Sequence, residues 1–460
     1  MQSDCRLDFL FATWEGGGNI PPALTVVRAL SEAGHRVRVI CDSCSAAGIE
    51  AAGGKFIPWQ HAPNCTDRSA AAKLLRDWEA ATPADGFGRL RDAIMFGPAF
   101  AYAQDVITEI ERCRPDLVVS SEMLFGVLAA CEAQDQPLTL LATNLSLFPI
   151  PGIPPFGAGL TPARTEAERK LHEDIAAASR EMFNAGLPAL NDTRRKLGLH
   201  ALSDVLDQLK SAERLLLATS RAFDFPADRL PEHFRYVGPQ LDEPHWALPW
   251  RSPWPADESR PLVLVAFSST FQNQSPVLRR VIDALAALPI RAVVTVGPGL
   301  EADFPPIRAE NIAVCTSAPH DAIMREATAV ITHAGHGTVM RALTHGLPLL
   351  CMPMGRDQND NTVRVLAHKA GLSLSADAPA DEISIAVSRL VEEPRFARSA
   401  EQLGEIIAAE SISRLATIEL TLSAIAHRNA RRNADGGTVL AFPAGISVTR
   451  NDNLRRKPCC

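Results

Sequence analysis

The sequence predicts an α/β protein with two doubly wound parallel-sheet domains facing a central cleft. Three observations lead there. Short apolar, β-branched runs alternate with stretches of helical periodicity in both halves of the chain, prolines and tryptophans break that alternation between Arg235 and Arg260, and a Gly-rich turn joins strand to helix once in each half. A chain of 460 residues also exceeds one ordinary hydrophobic core, so two domains are expected.

The first half opens with the apolar run Leu7 to Thr13, the cluster Gly16, Gly17, Gly18, and a helical pattern from Pro22 to Ala33 that Gly34 stops. Val37 to Cys41, Leu117 to Ser120 and Leu138 to Ala142 supply further strands, with helical stretches such as Pro98 to Arg112 between them. Strands alternating with helices imply a parallel sheet covered on both faces. Residues 1–235 are assigned to this domain and 236–260 to the linker, whose prolines and tryptophans (Pro239, Pro244, Trp246, Pro249, Trp250, Pro253, Trp254, Pro255) carry no periodic signal. Alternation restarts with Leu262 to Phe267, Ala292 to Val296, Ile312 to Cys315, Ala329 to Ile331 and Leu347 to Met352, giving a second domain over 261–405. A helix over 406–427 is expected to pack back on the first domain. From 428 the chain turns basic and irregular (Arg428, Arg431, Arg432, then Gly436 and Gly437), and a disordered tail is expected.

Composition narrows the function. A hydrophobic share of 46% and a charged share of 22% describe a globular protein. A formal net charge of -7 and a pI near 6.0 offer nucleic acid and anionic membranes no general attraction. No run of about 18 apolar residues appears, and Asp4, Arg6 and Asp8 stand where a secretory signal needs apolar residues, so a cytoplasmic protein is expected. Cys41 and Cys44 lack a second pair at zinc-site spacing and read as small packed side chains rather than as a metal or redox site.

Two open parallel sheets place a ligand cleft outside the carboxyl ends of their strands. There the most informative stretch is Ile331 to Thr338, which leaves a strand, passes Gly335 and Gly337 and enters a helix. Glycines let the backbone approach a diphosphate, the helix start offers N–H groups and the positive dipole end, Thr338 adds a hydroxyl, and His333 and His336 add imidazoles. After the next strand, Asp357 and Gln358 can accept from and donate to vicinal sugar hydroxyls. Turn chemistry alone also allows a tight connection, and the Asp-Gln pair alone also allows a solvated helix cap.

Together these residues resemble the donor signature of the family 1 glycosyltransferases, the UDP-glycosyltransferase-like enzymes of GT-B fold, over roughly Ala313 to Gly371. The resemblance implies a bacterial natural-product type of enzyme, a UDP- or dTDP-sugar donor, a small apolar acceptor, and inverting transfer with neither metal nor cofactor; a monomer or homodimer is expected. It assigns diphosphate contacts to His333, Gly337 and Thr338, and sugar contacts to Asp357 and Gln358; Gly335 and His336 are donor-site candidates from the turn chemistry. Ala318 and His320 resemble the segment whose backbone reads the base. Ser268, Ser269 and Thr270 resemble the turn that caps the diphosphate, with Ser268 where the family has glycine, and His336 is bulkier than the usual residue.

In the first half, Gly16 to Leu24 resembles the family loop that carries a catalytic histidine or aspartate, but Asn19 occupies that position. An amide can orient an acceptor hydroxyl and cannot take its proton. Another residue is the base, the acceptor is already nucleophilic, or the chain binds without turnover. Glu122, at the end of a strand, is the first candidate base and Glu15 the second; the structural role of Glu122 is charge at a helix start. Met95 to Tyr102 and Leu145 to Phe156 suggest an apolar acceptor pocket. The leading expectation is sugar transfer. The alternative is a non-catalytic nucleotide-sugar binder or auxiliary protein, and an epimerase or hydrolase is weaker because no carboxylate cluster flanks His333.

Overall fold

A computed structural model describes residues 6–69, 72, 74–241, 249–268, 270–297, 300, 304, 309–412 and 414–434. The first sheet contains β1 (Asp8–Ala12), β2 (Arg36–Cys41), β3 (Lys55–Pro58), β4 (Leu117–Ser121), β5 (Leu138–Ala142), β6 (Arg214–Leu217) and β7 (Phe234–Tyr236), in the order β3-β2-β1-β4-β5-β6-β7. The second contains β8 (Leu262–Ala266), β9 (Arg291–Thr295), β10 (Ile312–Cys315), β11 (Ala329–Thr332), β12 (Leu349–Cys351) and β13 (Gly371–Ser373), in the order β10-β9-β8-β11-β12-β13. All pairings are parallel, as when β1 sets Phe9 against Val37 on one side and Leu117 on the other. In each sheet the order reverses beside its first strand, between β1 and β4 and between β8 and β11, which opens a crevice at the carboxyl edge.

Both faces of the first sheet are covered, which is why its strands read as continuous apolar runs. Leu10, Ala12, Val118 and Leu140 face one core with Phe96, Tyr102 and Phe125. Phe9, Phe11, Val37 and Val119 face the other, against Val26, Val27 and Leu30 of the helix Ile20–Glu32. Asp8 is buried inside β1 and is tolerated because the guanidinium of the equally buried Arg38 lies 3.2 Å away.

The helix Leu415–Ala434 returns from the second half to this core. Ala416, Leu420 and Ala424 recur every fourth residue on its buried face. The expected start of disorder at 428 is overturned, because Arg428 and Arg431 hold Asp116, the residue before β4, with Arg431 Nη2 donating at 2.7 Å to Asp116 Oδ1. Their positive charge is a structural clasp. The expected tail over 435–460 lies outside the described residues, as do 242–248 of the expected linker. Trp254, from the same Pro- and Trp-rich stretch, packs on the second half: its indole donates to the Glu310 carbonyl at 3.0 Å and Arg291 covers its ring. Among the described residues no helix is long and apolar enough to cross a membrane.

The halves meet along the helix Gln358–Ala367. Arg364 is buried against Asp224 of the first half at 2.7 Å, and Asp224 also accepts from Tyr236 Oη at 2.8 Å. Asp360 accepts from the backbone N–H of Gly157 and of Gly159. A Cβ at Gly159, where φ is +62°, would stand 2.8 Å from Cβ of Asn359, so glycine alone permits this approach.

Candidate active site

The second sheet presents its candidate residues in a row along one edge: Ser268 and Thr270 after β8, Ala318 and His320 after β10, His333 after β11, and Asp357 and Gln358 after β12. Ser269 lies outside the described residues.

From β11 the chain turns through Ala334 in the left-handed region (φ +68°) and enters the helix His336–Thr344 at Gly335, whose cap position supplies no side-chain hydrogen bond. The first N–H groups of that helix thus have no cap side chain, an arrangement that suits an anion. Gly335 has a steric reason: a Cβ there would stand 2.6 Å from Nε2 of His333, whose ring folds over the turn. Gly337 is exposed, and a Cβ there would meet nothing within 4 Å. The helix is backed by Ala400, Leu403 and Ile407 of the helix Pro394–Ile412, packed on Val339, Met340 and Leu343.

His333 is buried and stacks on Phe267 at 5.9 Å between ring centroids. Desolvation, reinforced by the nearby Arg356 cation, lowers its pKa to about 3, so at neutral pH it offers a hydrogen bond rather than a charge. His336 does not join it. Its Nδ1 lies 3.1 Å from Asn361 Oδ1 and its ring meets Phe223, so the ring turns into the seam between the halves, where Nε2 is buried without a partner among the described residues.

Asp357 is half-buried, and its Oδ2 accepts from Asn361 Nδ2 at 2.8 Å. Gln358 departs from expectation. Its Oε1 accepts from the Met354 N–H at 2.7 Å, its Nε2 donates to Gln272 Oε1 at 3.2 Å, and it is almost wholly buried, so the side chain holds the turn together. Thr270 is buried with its N–H bonded to Ser268 Oγ at 3.1 Å. Ala318 is buried, and His320 Nε2 lies 3.1 Å from Thr295 Oγ1 with its pKa driven down to about 4 by desolvation.

In the first half, Thr13, Asn19, Ala23, Ser120, Ser121 and Thr143 line a narrow cleft at the β1/β4 crevice. Asn19 caps the helix Ile20–Glu32, and its amide is spent on its own loop: Oδ1 accepts from the Gly16 N–H at 2.9 Å and Nδ2 donates to the Trp14 carbonyl at 2.6 Å. Glu15 is spent likewise, accepting from Gly17 N–H, Ser45 Oγ and Arg68 Nη2, each at 2.9 Å. Glu122 differs from both. It follows β4 directly, is buried with Ser121 Oγ at 3.4 Å, and desolvation raises its carboxyl to about 7, the value suited to accepting a proton near neutrality.

Two features escape a reading of the sequence. Asp105 binds the turn after β3, accepting from the N–H groups of Gln60, His61 and Ala62 and from the His61 ring at 2.7 Å. Arg356 stands among the donor residues; the signal for it was a cation immediately before Asp357 and Gln358. The expected apolar acceptor wall is largely core instead: Met95, Phe96, Tyr102, Leu147 and Phe148 are buried, with Phe96, Phe125, Phe148 and Phe183 in a chain of ring contacts.

Residues 279–420 match the family described as erythromycin biosynthesis protein CIII-like, C-terminal domain. The chain is 26% identical over 411 residues to 4'-demethylrebeccamycin synthase of Lentzea aerocolonigenes, covering 87% of this chain and 95% of that one. It is 23% identical over 433 residues to demethyllactenocin mycarosyltransferase of Streptomyces fradiae, covering 88% and 84%. Among solved structures, the glycotransferase of kitacinnamycin has a TM-score of 0.70 at 20% identity over 91% of this chain and 99% of that one. Glycosyltransferase VinC in complex with dTDP has 0.63 at 19% over 90% and 99%. Fold and relatives together make this chain a glycosyltransferase of GT-B fold. Within that class its likeness is to bacterial natural-product glycosyltransferases, the type that the family 1 resemblance implies.

Proposed function

We propose that the protein transfers a sugar, in the cytosol and with inversion, from a UDP- or dTDP-sugar to a nucleophilic atom of a natural-product acceptor, without a metal. The observation that carries this reading is the uncapped start of the helix His336–Thr344, flanked by His333 and facing open space at Gly337. The names of the two relatives speak for a natural-product acceptor, and the dTDP complex of VinC for a thymidine nucleotide.

The acceptor atom attacks the anomeric carbon as the bond from that carbon to the diphosphate oxygen breaks. The nucleoside diphosphate leaves with its new charge at the helix start, where fixed N–H dipoles stabilise it without reorganising. Asp357 accepts from sugar hydroxyls. The acceptor's proton passes to Glu122, because Asn19 is no base and Glu15 is already committed to Arg68, Ser45 and Gly17.

The test incubates the protein with UDP- and dTDP-sugars, with and without a panel of aromatic and macrolactone acceptors. Acceptor-dependent release of nucleoside diphosphate, undiminished by EDTA, and a product of inverted anomeric configuration are expected. Binding of nucleotide with no turnover in any mixture would instead support a non-catalytic binder, for which Asn19 is the motive.

A further inference from the structure

We propose that Arg356 is the side-chain cation that receives the donor's diphosphate, and that Asp77 of the acceptor half, which pairs with it, competes for it, so that donor binding exchanges a carboxylate for a phosphate. The inference rests on the donor site argued above and adds a residue to it.

Asp77 begins the short turn Asp77–Glu79 in the first half, yet it reaches across the cleft. Its two carboxylate oxygens take Nε and Nη2 of Arg356 at 2.5 and 2.9 Å, the two-pronged geometry a guanidinium also offers to phosphate. The remaining nitrogen, Nη1, donates to Thr270 Oγ1 at 3.1 Å, which ties the cation to the loop after β8. The depressed pKa of His333 places the same cation within electrostatic reach of the loop after β11. Arg356 therefore stands between the two loops expected to hold the diphosphate.

The backbone at Arg356 is held at φ +56°, a conformation that costs a non-glycine residue about 1 kcal/mol, and surrounding contacts maintain it. The neighbouring Trp78 meets Phe271, the residue after Thr270, edge to face at 5.0 Å, and Arg76 covers the Trp78 ring. The turn Asp77–Glu79 thus touches the donor side both through Asp77 on Arg356 and through Trp78 on Phe271. Asp77 is itself an anion beside the diphosphate position. A bound donor repels it and satisfies Arg356 in its place, so Asp77 acts as a competitor tethered to the other half.

Binding of UDP, dTDP, uridine and thymidine to the full chain is measured by calorimetry for the wild type, Asp77→Asn, Arg356→Gln and the double variant. Arg356→Gln is expected to weaken the better nucleoside diphosphate about 10- to 100-fold, the value of a charge-assisted bidentate contact, and to leave the nucleosides unchanged. Asp77→Asn is expected to tighten diphosphate binding, and the double variant to bind like Arg356→Gln alone. Quenching of Trp78, isolated by comparison with Trp78→Phe, should accompany binding. Diphosphate binding that Arg356→Gln leaves unchanged, or that Asp77→Asn weakens, overturns the proposal. A wild type that binds neither diphosphate refutes the donor site itself, a different failure. Thermal melts of each variant identify any that fails to fold, and Arg356→Lys then substitutes for Arg356→Gln, with a weaker loss expected because the charge stays and the fork goes.

Discussion

His333 shows how burial decides what a residue can do. An exposed histidine beside a diphosphate would titrate near neutrality and bind partly through charge. Here desolvation and Arg356 hold its pKa near 3 against 6.5 for the free side chain. Between those values the unfolded chain binds the proton and the folded chain does not, so this stabilising contribution is complete above pH 6.5 and is lost as pH falls toward 3. Wild type is therefore expected to lose about 2 kcal/mol more stability than His333→Gln between pH 7 and pH 5, read by denaturant titration at both pH values. Nucleotide affinity should show no inflection from this residue between pH 5 and 8. Chemical type was legible at this scale and direction was not. Asp357 and His333 are polar groups after strand ends, as their spacing suggested. Gln358 and His336 look as available as those two in the sequence, but Met354 and Gln272 take up both polar atoms of Gln358 and Asn361 takes Nδ1 of His336, and those partners exist only once the turn is folded.

At the scale of elements, the strands were legible because a parallel sheet covered on both faces demands continuous apolar residues, as in Leu262–Ala266. The last helical turns were not, because Arg428 and Arg431 read as solvated charge until β4 brings Asp116 beside them from more than 300 positions away. Likewise Phe96 and Phe148 read as pocket aromatics, but the helices and loops around them close into a core. The donor turn supplies a paired prediction. Gly335→Ala drives a methyl group against the His333 ring and should lower Tm. Gly337→Ala meets no protein atom, so Tm should hold or rise slightly, while the methyl enters the space assigned to the diphosphate and weakens UDP or dTDP. Equal effects of the two substitutions on both Tm and Kd would contradict this account of the turn.

At the scale of the whole molecule, the two halves are joined by specific polar pairs. Asp224 holds Arg364, Asp360 holds the loop at Gly157 and Gly159, and Asp77 holds Arg356, all three clasps reaching residues 356–364 beside the donor turn. The acceptor half thus grips the segment that carries Asp357. A reaction across the cleft needs a base from the first sheet opposite a leaving group on the second, and the proposed function gives that role to Glu122, which follows β4 with its carboxyl raised to about 7 by burial, rather than to Asn19, whose amide is held by its own loop. The measurement that tests this most directly is acceptor-dependent release of nucleoside diphosphate from pH 5 to 9, for the wild type, Glu122→Gln and Glu15→Gln. Release is expected only with acceptor, rising through an inflection near pH 7 as Glu122 ionises, falling about 100-fold or more in Glu122→Gln, and keeping the same inflection in Glu15→Gln. Full transfer by Glu122→Gln, with the inflection unchanged, would contradict the account.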